Sequence, residues 1–145
     1  MKLLNSEQEA ISEFIIKRRI IMQVTTTVEE TRKLVKNWKK EGKTIGLVPT
    51  MGFLHEGHAS LIRRCREEND IVVVSDFVNP TQFGPTEDLE AYPRDFERDS
   101  ELCESLGADL IFHPEPKDMY HDPHAYVSID TLSDTLCGKT RPIHF

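Results

Sequence analysis

Residues 44–78 read TIGLVPTMGFLHEGHASLIRRCREENDIVVVSDFV, and the order of patterns inside this stretch decides the fold. TIGLVP (44–49) is a short apolar run with β-branched residues, closed by Pro49, which cannot donate to a sheet ladder. It reads as a buried strand. ASLIRRCREEN (59–69) places Leu61, Ile62 and Cys65 on one helix face, and DIVVVSDFV (70–78) is the most strand-like run in the chain. Strand, turn, helix and strand make a βαβ unit, whose crossover is expected to be right-handed.

The alternation continues on both sides. Upstream, Thr27-Val28-Glu29-Glu30 fits a capping box, Leu34, Val35 and Trp38 share a face, and Gly42 ends a helix spanning roughly 28–41. Earlier still, Ser6-Glu7-Gln8-Glu9 followed by Ala10, Ile11, Phe14 and Ile15 predicts a short amphipathic helix. Downstream, Asn79 to Pro85 is a loop by its prolines and glycine. A helix near 93–106 follows, with Phe96, Leu102, Cys103 and Leu106 inward and Gly107 as its stop. DLIFHP (109–114) is a third strand, and AYVSI (125–129) is a weaker candidate for another. Strands alternating with helices predict an α/β fold, an open parallel sheet covered on both faces.

Composition narrows the function. A 145-residue chain with 38% hydrophobic and 30% charged residues is one soluble globular domain by default. No window reaches the roughly 18 apolar residues of a membrane span, and the N-terminus carries acids and amides where a secretory signal would be apolar. The expectation is a cytoplasmic chain with no membrane contact. Cys65, Cys103 and Cys137 are odd in number and widely spaced, which argues against disulfides and a cysteine zinc site. Cys65 and Cys103 read as buried small residues. Net charge is −7, with ten Lys/Arg against six Glu in residues 1–43 and eight basic against nineteen acidic residues in the rest. Lys33, Lys36, Lys39 and Lys40 interleave with apolar positions and have no aromatic partners, so they read as the wet face of a helix and not as a nucleic-acid platform.

In an open α/β sheet, ligands bind beyond the carboxyl ends of the strands. The first strand delivers Pro49 to His58 to that edge, and the second delivers Val78 to Gly84, so the two loops are expected to face one pocket. Gly52 and Gly57 allow close backbone approach, and His58 lies near a helix start, where free amides favour an anion. Three readings of the histidines stand beside one another: a phosphate site, a solvated turn, and a metal pair. The metal pair is weakened because a helix would present His-x-x-x-His, and His121 and His124 are far along the chain. Neither GxGxxG nor GxxxxGK[ST] is present.

VPTMGFLHEGHASLI, VVVSDFVNPTQFG, AYPRD, GADLIFHP and CGKTRPIHF together resemble the pantothenate synthetase (pantoate–β-alanine ligase) family. This family lies within the nucleotidyltransferases marked by His-x-Gly-His, here His55-Glu56-Gly57-His58. The resemblance runs from about Met22 to Phe145 and implies a Rossmann-like nucleotide-binding domain over 22–145, with 1–21 as an N-terminal extension. It implies ATP-dependent condensation of pantoate with β-alanine through a pantoyl adenylate, in coenzyme A precursor synthesis, with Mg2+ accompanying ATP and a homodimeric complete enzyme.

By the same resemblance, Met51, Gly52, Phe53, Leu54, His55, Glu56, Gly57 and His58 line ATP, with His55 and His58 catalytic and His58 the proton donor. Gln82, Pro49, Met51, Asn79 and Arg141 bind pantoate or β-alanine, Pro49 and Met51 packing its gem-dimethyl group. His144 falls near the site, and Tyr92 and Arg94 anchor the following loop. Asp76 and Ile143 depart from the family pattern, and a buried unpaired carboxylate at Asp76 would be costly. Family members run about twice as far, and their Gly-Glu-Lys-Asp-like and Ser-Ser-Arg-Asn-like segments are not in this sequence. The expectation is an incomplete enzyme that does not turn over alone. Another His-x-Gly-His transferase is separated by the Gln82 loop, and a non-catalytic binding domain by whether ATP and pantoate bind at all.

Overall fold

A computed structural model describes residues 22–84, 87–121, 127, 131 and 134–141. The helix expected in 1–21, and His144 and Ile143, lie outside the described residues. Of the strand expected at 125–129 only Val127 is described, exposed and outside any strand.

The elements follow as β1 (Gln23–Thr25), α1 (Val28–Lys40), β2 (Ile45–Thr50), α2 (Glu56–Glu68), β3 (Ile71–Asp76), a 3-10 turn (Pro80–Gln82), α3 (Phe96–Ser105), β4 (Leu110–Phe112), α4 (Pro116–Met119) and α5 (Cys137–Thr140). The four strands form one parallel sheet in the order β1-β4-β3-β2. The fold is the expected Rossmann-like α/β class, a parallel sheet with helices on both faces. Side chains alternate across β3: Val72 and Val74 pack with Ile62 of α2, Cys103 of α3 and Ile111 of β4, whereas Ile71 and Val73 pack with Leu34 and Trp38 of α1. A continuous apolar strand is thus buried on both faces.

Four details differ from the sequence reading. β1 is a strand of only three residues with one buried position, too short for its periodicity to be visible. β2 is buried on one side only, through Val48 and Thr50; it is an edge strand among the described residues, Leu47 is 63% exposed, and Pro49 is tolerated there opposite Ser75. α2 begins at Glu56, not Ala59, because histidine caps it. Leu61 is 56% exposed, since Ala59 and Ile62 set the buried face and the two residues between them, Ser60 and Leu61, turn away from it.

The close packing of α2 on β2 requires Gly46, where a Cβ would fall 2.1 Å from Cys65 Sγ. Cys65 is half-buried and Cys103 fully buried, as their helical settings suggested; burial, with the charges of Asp99 and Asp76, pushes the Cys103 thiol up to about 12. No helix among the described residues is long and apolar enough to cross a membrane.

Candidate functional site

The carboxyl ends of β2 and β3 lie side by side, with Thr50 opposite Asp76. Beyond Thr50 the chain turns through Gly52 (φ 79°) and Phe53 (φ 52°), two consecutive left-handed residues of which the second has a Cβ and is disfavoured there. The turn is held from α3. Asp99, 1% exposed, accepts the Phe53 N–H at 2.6 Å and the Leu54 N–H at 2.7 Å, and Arg98 donates to the Leu54 carbonyl at 3.2 Å while lying 5.2 Å above the Phe53 ring. The sequence reading missed both residues. Acids in the first turn of a helix ordinarily read as dipole partners, so Asp99 offered no separate signal.

From that turn the chain enters α2. His55 is the N-cap, with its Nδ1 accepting the Gly57 N–H at 3.0 Å, and His58 Nδ1 accepts the His55 N–H at 3.2 Å. This is a capping box built from two imidazoles whose ring centroids are 4.1 Å apart. A nitrogen that accepts a backbone N–H carries no proton, so both rings are neutral with the proton on Nε2. Two N–H donors, on His55 and His58, are therefore left beside the helix N-terminus. Burial and then neighbouring His55 hold His58 below the usual imidazole range, with Asp99 opposing them. Gly57 makes the arrangement fit, because a Cβ there would lie 2.8 Å from His55 Cε1.

The second loop leaves β3 and forms the 3-10 turn that ends at Gln82. Asn79 caps it, its Oδ1 accepting the Thr81 N–H at 3.2 Å, and the Gln82 N–H bonds the Asn79 carbonyl at 3.2 Å. Pro49, Met51, Gly52, His58, Asn79 and Gln82, all expected at the site, line one groove of about 470 Å³ with Thr50, Ser75, Phe77 and Tyr92. The two loops do face one space.

Other expected residues stand elsewhere. The Leu54 side chain is in the core, and both its backbone polar groups already bond to α3, which removes it from the ligand-facing set. Phe53 lies under Arg98, and exposed Glu56 pairs with Arg63 at 2.8 Å on the outer flank of α2. Arg141 is outside the groove wall: it donates to the Gln82 carbonyl at 3.2 Å and pairs with Glu87, whose other oxygen accepts the Gly84 N–H at 2.7 Å. It braces the Gln82 loop from behind. Arg94 donates to the carbonyls of Leu89, Glu90 and Tyr92, and the Tyr92 ring meets Phe83 edge-on at 5.5 Å, so both anchor the loop.

Asp76, 5% exposed, is paired: His113 Nδ1 lies 3.3 Å from its carboxylate and 2.9 Å from its backbone carbonyl. A carbonyl only accepts, so Nδ1 carries the proton, and the hydrogen bond it donates to the Asp76 carboxylate holds the His113 pKa above the usual range. Among the described residues no three His, Cys, Asp or Glu side chains gather into a group that could hold a metal ion.

A family profile described as Pantoate-beta-alanine ligase matches residues 23–145. The chain belongs to the pantoate–β-alanine ligase family. Similar members include Pantothenate synthetase from Clostridium botulinum (strain Loch Maree / Type A3), 54% identical over 125 residues, covering 86% of this chain and 44% of the relative. The Ruminiclostridium cellulolyticum protein of the same name is 58% identical with the same coverage. Among solved structures, Pantothenate synthetase from Thermus thermophilus superposes with a TM-score of 0.77 at 44% identity, covering 86% of this chain and 44% of that one. Pantoate-beta-alanine ligase from Francisella tularensis, complexed with Beta-gamma ATP and Beta-alanine, gives 0.76 at 38% identity, covering 85% and 48%. The chain spans less than half the length of these pantoate–β-alanine ligase relatives, and the resemblance carried by VPTMG, HEGH and VNPTQF is confirmed as family membership.

Proposed function

We propose that this domain carries the nucleotide-binding and acid-binding half of a pantoate–β-alanine ligase active site. In the reaction, a pantoate carboxylate oxygen attacks the α-phosphorus of ATP and the bond to pyrophosphate breaks. The β-alanine amine then attacks the acyl carbon of the pantoyl adenylate, and the bond to AMP breaks. Magnesium accompanies the phosphates of ATP and neutralises their charge. The assembled enzyme is a homodimer in this reading.

The observation that carries the proposal is the His55–His58 capping box beside the Gln82 groove. Its two neutral imidazoles offer Nε2–H donors at a helix N-terminus, the position at which negative charge develops on the phosphoryl oxygens. A donor of lowered basicity does not have to be charged to act there, as the His58 environment favours. Across the groove, the Gln82 amide can both donate and accept toward the hydroxyls and carboxylate of pantoate, and Pro49 and Met51 supply apolar wall for its methyl groups.

Calorimetric titration of the 145-residue chain with a non-hydrolysable ATP analogue and with pantoate tests this. His58→Ala is expected to weaken the nucleotide and spare the acid, and Gln82→Ala to do the reverse. Binding of neither ligand by the unsubstituted chain, or variants that leave both affinities unchanged, would refute the proposal.

A further inference from the structure

The Asn79 side chain has a constrained orientation. The Thr81 backbone N–H can only donate, so the Asn79 atom facing it at 3.2 Å is the oxygen. The same oxygen accepts from Thr81 Oγ1 at 2.9 Å and from the Tyr120 hydroxyl at 2.8 Å. Three donors on one carbonyl oxygen leave it little capacity to accept from a ligand. The amide nitrogen, on the other side of the same planar group, has no hydrogen-bond partner among the described residues, and Asn79 lines the groove with Gln82 and His58.

Tyr120 reaches Asn79 from 41 residues away, held at the end of α4 by its N–H bond to the Pro116 carbonyl at 3.0 Å. Its ring lies 6.3 Å from that of Phe77, which also lines the groove. We infer that Tyr120 is a positioning residue for the acid substrate: it saturates the Asn79 carbonyl oxygen, so the amide nitrogen is presented to the groove as a donor that selects an oxygen acceptor. The inference rests on the proposed pantoate site and assigns its polarity on this wall. A carboxylate or hydroxyl oxygen satisfies the Asn79 N–H groups, whereas an ammonium group placed there would face donors with donors.

Two same-shape substitutions test the inference. Tyr120→Phe removes only the hydroxyl donor. Asn79→Asp retains a cap oxygen for Thr81 and Tyr120 but replaces the groove-facing donor with an anionic acceptor, and aspartate caps as well as asparagine does. The 15N side-chain order parameter of Asn79 is measured with no ligand, and pantoate and a non-hydrolysable ATP analogue are then titrated by calorimetry. Tyr120→Phe is expected to lower the order parameter and weaken pantoate about five- to tenfold, the loss of one positioned hydrogen bond, with the ATP analogue within about twofold of its original affinity. Asn79→Asp is expected to weaken pantoate more than Tyr120→Phe does.

An unchanged order parameter together with unchanged pantoate affinity in Tyr120→Phe would overturn the inference. So would equal weakening of both ligands, which marks a general structural role. If the unsubstituted chain binds the ATP analogue but no pantoate, the acid-binding reading fails and the substrate selection argued here fails with it, while the order parameter still decides whether Tyr120 orients Asn79.

Discussion

Asp99 on α3 accepts the backbone N–H of Leu54 at 2.7 Å, and through this bond a helix 45 residues away holds the turn that leads into the paired histidines. The other carboxylate oxygen takes the Phe53 N–H, so both oxygens of a nearly inaccessible carboxylate serve the turn. Asp99→Ala leaves two N–H groups without their acceptor and is expected to cost about 2–4 kcal/mol, with Asp99→Asn losing roughly half as much because one oxygen remains. Urea unfolding checks this. A loss under about 1 kcal/mol for alanine would show that the turn does not depend on Asp99.

Gly52 and Gly42 separate crowding from backbone strain. Both have positive φ, 79° and 74°, but a Cβ at Gly52 would sit 2.6 Å from Asp76 Oδ1, whereas nothing lies within 4 Å of one at Gly42. Gly42→Ala should cost about 1 kcal/mol from conformation alone, and Gly52→Ala about 1–3 kcal/mol beyond that as the Asp76 carboxylate is displaced. Matched denaturation curves decide between them; equal losses would mean that the packing of Asp76 against Gly52 is of no consequence.

His58 has a structural and a proposed chemical role of different size. Losing its acceptor for the His55 N–H removes part of a helix cap, worth about 0.5–2 kcal/mol. Losing a donor to developing phosphoryl charge is expected to lower adenylation roughly 10²–10³-fold in the complete enzyme. Pantoate-dependent pyrophosphate release and the melting temperature of His58→Ala, measured together, test the split. A rate loss no larger than the stability change accounts for would remove the phosphate role.

The two perturbed histidines act in opposite directions with pH. His113 is raised by its bond to Asp76, so the stability it contributes is present below the ordinary imidazole value of about 6.5 and is lost as pH rises through its higher folded value. His58 is lowered, chiefly by burial, so its contribution is present above that value and is lost as pH falls through its folded value, when a proton on Nδ1 breaks the cap. Melting temperatures across about pH 5–9 should flatten on the alkaline side in His113→Gln and on the acid side in His58→Ala. Swapped limbs in the two variants would show that the assignments are reversed.

Much of the fold was legible because its signals are local. The run at 71–76 and the helix faces of Leu34 with Trp38 and of Ile62 with Cys65 follow from side-chain period alone, and Gly107, with φ 81°, stops α3 as its position suggested. β1 was not legible, since three residues carry no period and its pairing with β4 joins positions more than eighty residues apart. The exposure of Leu47 was hidden for a related reason: an apolar run does not reveal whether its strand is central or at an edge.

At the site, the sequence by itself determined which residue types stand at the carboxyl ends of β2 and β3, and family membership follows from those motifs. It also placed Gly52 and Gly57 where only a missing Cβ fits. Tertiary structure alone decided which partners each polar group has. Asp76 looked costly in sequence because its neighbour depends on strand register; with Ser75 opposite Phe112, His113 arrives beside it. Likewise Asp99 meets Leu54, Tyr120 meets Asn79, and Arg141 meets the Gln82 carbonyl only after the sheet has assembled. Hydrogen bonds act over about 3 Å and carry no imprint on the intervening chain, so periodicity locates the loops but only packing specifies the donors and acceptors that hold them.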